Sequence, residues 1–231
     1  MLEEGLIVNK EFLARSIKHA RNFCLKFLPA VFVLIIVAGC CGPHRIEGSK
    51  VSTQPVVATL PSTLPEMANP RIVVEKTACR LTLYDGQKLV KVYNACTGRA
   101  IGDKEREGDK KTPEGDFFVV YKNPQSKFTL SLGLSYPNLE DAKRGLDSKI
   151  ITQAQYDSLL RANEEIVKLP PGRQVQSNWE ELWKTPLGGE IMIHGAGAGR
   201  DGTAGCVGMD DDDIRELYPS IPLGTPVSIK P

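Results

Sequence analysis

Five prolines, Pro43, Pro55, Pro61, Pro65 and Pro70, punctuate the stretch that follows Cys41, among serines and threonines and without an apolar period of helical or strand type. A segment of this composition reads as an extended tether over residues 41–70, because it offers no face to bury. It confines the packed part of the chain to residues 71–231, a length that suits one domain. Where the tether is polyproline-like, at about 3.1 Å per residue, it gives that domain a reach of some tens of ångströms.

The residues ahead of the tether read as an address. Lys10, Arg15, Lys18, Arg21 and Lys26 stand against the single acid Glu11, and an apolar run from Phe27 to Val37 follows. That is the profile of a signal peptide over residues 1–40. The run is shorter than the roughly 20 apolar residues a bilayer core requires. It closes on Val37-Ala38-Gly39-Cys40, which resembles the lipobox of bacterial lipoproteins, where the cysteine thiol accepts a diacylglycerol. An ordinary signal peptide and an uncleaved anchor are the alternatives. All three export the domain, and lipidation of Cys40 would hold it to a membrane at the periplasmic or cell-envelope face.

The 29 Lys+Arg balance 28 Asp+Glu, for a net charge of +1 and a pI near 7.6. No basic surplus is left to mark a nucleic-acid partner. Of six cysteines, Cys24, Cys40 and Cys41 belong to the N-terminal segment, leaving Cys79, Cys96 and Cys206. A two-residue loop within Tyr84-Asp85-Gly86-Gln87 would set Cys79 opposite Val92, which argues against a cross-strand disulfide with Cys96. Both are expected as small, buried apolar residues.

The folded part reads as mainly β. Ile72 to Val74, Leu81 with Leu83, Leu89 to Val92, Phe117 to Val120, Phe128 to Leu134, Glu190 to Ile193 and Pro226 to Ile229 carry strand-like apolar positions. Helical periodicity appears over Thr152 to Val167 and Asp212 to Tyr218, the second capped by an aspartate of the Asp210 to Asp213 run. That run lacks the spaced oxygen ligands of a calcium loop. With no metal-ligand cluster and no phosphate loop, neither metal nor cofactor is expected. Gly145 to Gly189, with Trp179 and Trp183, interrupts the β pattern, either as a lid or as a helical insertion packing its tryptophans on the sheet.

His19 and His44 lie ahead of residue 71, so His194 is the one histidine of the folded region. It ends the apolar strand Ile191-Met192-Ile193 and precedes Gly195-Ala196-Gly197-Ala198-Gly199. Further on comes Thr203-Ala204-Gly205-Cys206-Val207-Gly208, where the amides of Gly205 and Cys206 could face one developing oxyanion and the following helix would favour thiolate. A cysteine and a histidine in one domain are the minimal kit for nucleophilic acyl transfer. Spacing alone leaves open a buried cysteine and a capping histidine.

Taken in order, Gly108-Asp109-Lys110-Lys111-Thr112-Pro113-Glu114-Gly115, Tyr136-Pro137-Asn138, Ile193-His194-Gly195, Thr203 to Val207 and Leu223-Gly224-Thr225-Pro226-Val227 resemble the L,D-transpeptidase (YkuD-type) catalytic domain from about residue 71 onward. The resemblance implies a β-sandwich with a small helical insertion and a short helix after the cysteine. It implies action on peptidoglycan stem peptides through a thioester. Cys206 would be the nucleophile, His194 the general base, and the Gly195 carbonyl would orient the imidazole. The chain departs from the family's pattern, with Ala204 in place of a second histidine and Gly208 in place of an arginine. The acyl acceptor therefore stays open: an amine on peptidoglycan or a wall-attached protein, or water in an L,D-carboxypeptidase or a hydrolase of wall-protein linkages. A non-catalytic wall-binding lipoprotein is the alternative of another class.

Overall fold

The computed structural model describes residues 64–170, 172–197 and 202–231. The signal segment, Cys40 and the tether up to residue 63 lie outside them. The tether was expected to run to Pro70, yet Leu64 and Met67 already pack on the core, because both are large apolar side chains within reach of it.

Alternation builds the first three strands, β1 (Pro70–Glu75), β2 (Arg80–Asp85) and β3 (Lys88–Asn94). Ile72, Val74, Leu81 and Leu83 point inward and are essentially fully buried. The β2–β3 hairpin closes on Asp85 and Lys88, one residue beyond the expected pair, with Gly86 at φ +57° in the turn. An irregularity between Leu83 and Tyr84 shifts the register further. Cys79 consequently lies beside Ala95, whose N–H donates to the Cys79 carbonyl at 2.9 Å, and not opposite Val92. Nor are the two thiols buried as expected: Cys79 is exposed and Cys96 half-buried, and neither forms a disulfide.

β4 (Gly115–Asn123) serves two neighbours in succession. Its first half, Gly115 to Phe118, pairs with β8 (Pro226–Lys230), and its second, from Val119, pairs with β5 (Ser131–Leu134). β8 also runs parallel to β1, β5 pairs with β6 (Met192–His194), and β6 runs parallel to β7 (Val207–Gly208). The result is one eight-stranded sheet of order β3-β2-β1-β8-β4-β5-β6-β7. It wraps a single core in which Ile72, Leu81 and Leu83 from one half join Leu132, Leu134, Ile193 and Val207 from the other. The mainly β, half-barrel fold agrees with the sequence reading.

Four helices complete the described residues. α1 (Leu139–Asp147) starts at Asn138, whose side chain accepts the Glu140 and Asp141 amides, and α2 (Gln153–Lys168) starts at Thr152. In both, the residue at the third helical position bonds back to the cap amide, a capping box that satisfies donors a helix start would otherwise leave bare. α3 (Trp179–Leu182) is a single turn, and α4 (Asp211–Ser220) follows β7, burying Ile214 and Leu217 in the core.

The segment between β5 and β6 is a packed layer, not a lid. Trp179 and Trp183 are 3% and 5% exposed, and gather Val120, Ala162 and Ile166 on the outer face of the sheet. The Trp183 ring meets Tyr121 edge-on at 5.9 Å, and its Nε1–H donates to the Leu134 carbonyl at 3.2 Å. Burial of each tryptophan is worth about 4–6 kcal/mol before entropy is counted. Close approach requires Gly133, where a Cβ would stand 2.8 Å from the Trp183 ring.

Candidate active site

β6 and β7 pair in parallel, Ile193 with Val207 and His194 with Gly208. Ile193 and Val207 are fully buried in the core. Because successive side chains alternate, Met192 and His194 on one strand and Cys206 and Gly208 on the other share the opposite face. Pairing thus brings the two candidate groups onto one surface of adjacent strands.

His194 is 7% exposed. Its Nδ1 lies 2.6 Å from the Gly195 carbonyl, and since a carbonyl only accepts, this partner assigns the proton to Nδ1 and leaves Nε2 as the acceptor in the neutral ring. Phe128 stacks on the imidazole, centroids 4.4 Å apart and planes 22° from parallel. Burial lowers the pKa of His194, and the Gly195 carbonyl opposes the shift.

Cys206 sits at the entry to β7. Its Sγ accepts the Met192 N–H and donates to the Glu190 carbonyl, both at 3.4 Å. Glu190 holds φ +52°, a strained conformation for a residue with a Cβ, and it is this backbone that faces the thiol. Burial pushes the Cys206 thiol up, the Met192 amide and Lys104 act downward, and Glu190 acts upward. The following helix does not bring the thiol down as expected: α4 begins only at Asp211, and its first turn carries Asp211, Asp212 and Asp213. Burial thus disfavours the charged form of each group, thiolate and imidazolium alike.

The loop ahead of Cys206 is locked from two sides. Thr203 Oγ1 donates to the Cys206 carbonyl at 2.6 Å, and the fully buried Thr112 donates to the Gly205 carbonyl at 2.8 Å while accepting the Gly98 amide at 2.7 Å. Gly205 takes φ +142°, and a Cβ there would stand 2.9 Å from the Lys111 carbonyl. Its amide was expected to aim at an oxyanion; here it donates to Thr203 Oγ1 at 3.0 Å, the nearest acceptor in the same tight turn. Beside the site, Lys104, 3% exposed, pairs with Asp109 at 2.9 Å. Lys111 reaches Glu105 and Glu114 reaches Lys76, so these motif residues serve the scaffold.

Sequence reasoning missed Thr112, Phe128 and Asp211. Asp211 Oδ1 accepts Thr129 Oγ1–H at 2.7 Å and the Ala196 N–H at 2.6 Å. The signals were present: a threonine inside a turn motif, a lone aromatic before a strand, and an aspartate run explained by capping alone. Asp210, at the N-cap, makes no side-chain bond to the helix amides. Among the described residues there is no group of three or more His, Cys, Asp or Glu able to hold a metal, and no helix long and apolar enough to cross a membrane.

The family model of the YkuD L,D-transpeptidase catalytic domain matches residues 69–229. YafK of Escherichia coli (strain K12) is 29% identical over 131 residues, which cover 53% of this chain and 52% of YafK. The chain spans about half the length of the curated relatives it matches. Among solved structures, Bd1075 of Bdellovibrio bacteriovorus is similar at 24% identity and a TM-score of 0.44, covering 74% of this chain and 52% of that one. The helical cell shape determining protein Pgp2 of Campylobacter jejuni follows at 20% identity and a TM-score of 0.44, covering 72% and 50%.

Proposed function

Because the chain belongs to the YkuD family of L,D-transpeptidase catalytic domains, we propose that it is an exported cysteine acyltransferase that cuts a peptidoglycan stem-peptide amide and passes the acyl group to an amine. The observation that carries this reading is the placement of His194 and Cys206 on one face of paired strands, with the imidazole Nδ1 held by Gly195.

His194 Nε2 takes the thiol proton, and the Cys206 sulfur attacks the amide carbon. The tetrahedral oxyanion collapses as the imidazolium returns its proton to the leaving amine, which departs and leaves a thioester. An acceptor amine then attacks the thioester, loses a proton to His194, and releases Cys206. Burial raises the thiol and lowers the imidazole, which disfavours a separated thiolate–imidazolium pair, and donors to the oxyanion matter accordingly. For Gly205 to be one of them, its amide must leave Thr203 Oγ1 when substrate binds.

The address fits this chemistry. A signal peptide over residues 1–40 with lipidation of Cys40, and a proline-rich tether behind it, would place the domain at the periplasmic or cell-envelope face within reach of the wall. A wall-attached protein is a second class of amine acceptor or substrate. Incubation with stem-peptide muropeptides and mass readout tests the proposal. Cross-linked dimers from the wild type and none from Cys206→Ala are expected; trimmed monomers alone would instead make the enzyme a hydrolase.

A further inference from the structure

The peptide unit between Gly195 and Ala196 is held at both ends. Its C=O accepts His194 Nδ1–H at 2.6 Å, and its N–H donates to Asp211 Oδ1, also at 2.6 Å. The same carboxylate oxygen accepts Thr129 Oγ1–H at 2.7 Å, and Thr129 adjoins Phe128, the ring stacked on His194. One oxygen thus ties down the segment that holds the imidazole in its plane and the segment that covers its face.

Both tied residues are strained. Ala196 sits at φ +69° and Thr129 at φ +71°, conformations that residues with a Cβ, and β-branched threonine above all, adopt only when neighbours enforce them. Space is tight as well, since a Cβ on Gly195 would stand 2.6 Å from Asp211 Oδ1 and 2.9 Å from the Phe128 carbonyl. Asp211 is the first residue of α4, where the helix dipole favours an ionised carboxylate. The hydrogen-bond partners of its Oδ1, Thr129 and Ala196, lie outside the helix, so capping does not account for them.

We infer that Asp211 is a positioning residue for His194, acting through the Gly195–Ala196 peptide as the third member of the catalytic arrangement. This rests on the reading of His194 as the general base. The carboxylate polarises the peptide, makes the Gly195 carbonyl a stronger acceptor, and favours the imidazolium formed when the thiol proton arrives. The other ionisable groups around this arrangement are the Cys206 thiol at the entry to β7, the thiol of Cys96, which is β-bridged to Gly208, Lys127 with its Nζ 5.0 Å from the Phe128 ring centroid, Arg215 at 3.9 Å from Asp211, and the remaining aspartates of α4.

The test is an NMR titration of the His194 imidazole in the full chain, its resonance identified by its absence from His194→Gln. Asp211→Ala should lower the titration midpoint by about half a pH unit or more. Asp211→Asn, which can keep both accepted bonds while losing the charge, should fall between Asp211→Ala and wild type. With muropeptide substrate, kcat should drop by about tenfold and KM should change little. A midpoint equal to that of wild type in both folded variants overturns the inference. If Asp211→Ala does not fold, an unshifted Asp211→Asn overturns it alone. The titration needs no turnover, so a wild-type protein inactive on muropeptides would count against the acyl-transfer reading and leave this result standing.

Discussion

Adding a single methyl group at Gly208 probes how closely the strands of the site are packed. The Cβ of Gly208→Ala would stand 2.8 Å from Cys96 Sγ, 3.1 Å from the Gly197 carbonyl and 3.4 Å from Thr203 Cγ2. Non-bonded heavy atoms are at their optimum near 3.5–4.0 Å, so the sulfur must retreat by about 0.7 Å or more. Overpacking of this kind costs about 1–3 kcal/mol, which in a domain of this size lowers Tm by about 2–10 °C. Cys96→Ala removes the closest obstacle, and alone should cost about 1 kcal/mol. The double variant should therefore be more stable than the sum of the singles predicts, by about 1 kcal/mol. Gly208 pairs with His194, and the Met209 N–H donates to the His194 carbonyl at 2.8 Å, so a shift of β7 reaches the imidazole. Turnover should fall in Gly208→Ala and recover in the double. Thermal unfolding of the four proteins, followed by circular dichroism, decides the matter: additive losses would refute the steric reasoning.

Three other outcomes are expected. Alkylation of Cys206 by iodoacetamide should rise with pH through a midpoint above the ordinary thiol value, because burial raises the thiol; a plateau of reactivity from pH 5 to 8 would mean a resting thiolate–imidazolium pair instead. Burial acts to raise the Asp109 carboxyl, but the amides of Glu105, Arg106 and Lys111 with the Lys104 ammonium hold it down at about 2. A depressed carboxyl stabilises the fold above its unfolded value of 3.8 and loses that contribution as pH falls toward 2, so Asp109→Asn should flatten acid unfolding across this window; an unchanged profile would refute it. Gly133→Ala drives a methyl to 2.8 Å from the Trp183 ring and 3.0 Å from Tyr121 Cβ, and should cost about 1–3 kcal/mol in urea unfolding; a wild-type midpoint would show that the tryptophan layer yields freely.

What could be read from the sequence was what is local. β1 and β4 follow from short apolar runs, β2 and β8 from alternating apolar residues, and α2 from its threonine cap and helical period. α1 escaped notice although Asn138 with Asp141 forms a capping box, because the helix has only nine residues and Ala142 is the one apolar side chain it fully buries. β7 has two residues, too few to carry any pattern. The hairpin register slipped because a bulge cannot be counted from the turn. His194 stood out for want of a rival, and Cys206 for its glycines. Their shared face depends on the parallel pairing of β6 with β7, and Thr112, Phe128 and Asp211 act across contacts that join distant parts of the chain.

The position of β8 has a consequence for how this domain comes into being. β8 lies between β1 and β4 and pairs Ile72 with Val227, so the β1–β3 meander has no hydrogen-bonded neighbour in the rest of the sheet until residue 227 has been made. Closing so long a loop is slow compared with forming a hairpin. A ribosome-bound chain would therefore keep the β1–β3 meander apart from the rest of the sheet until β8 has emerged. Folding would be completed only when β8 takes its place between β1 and β4 and joins the two halves.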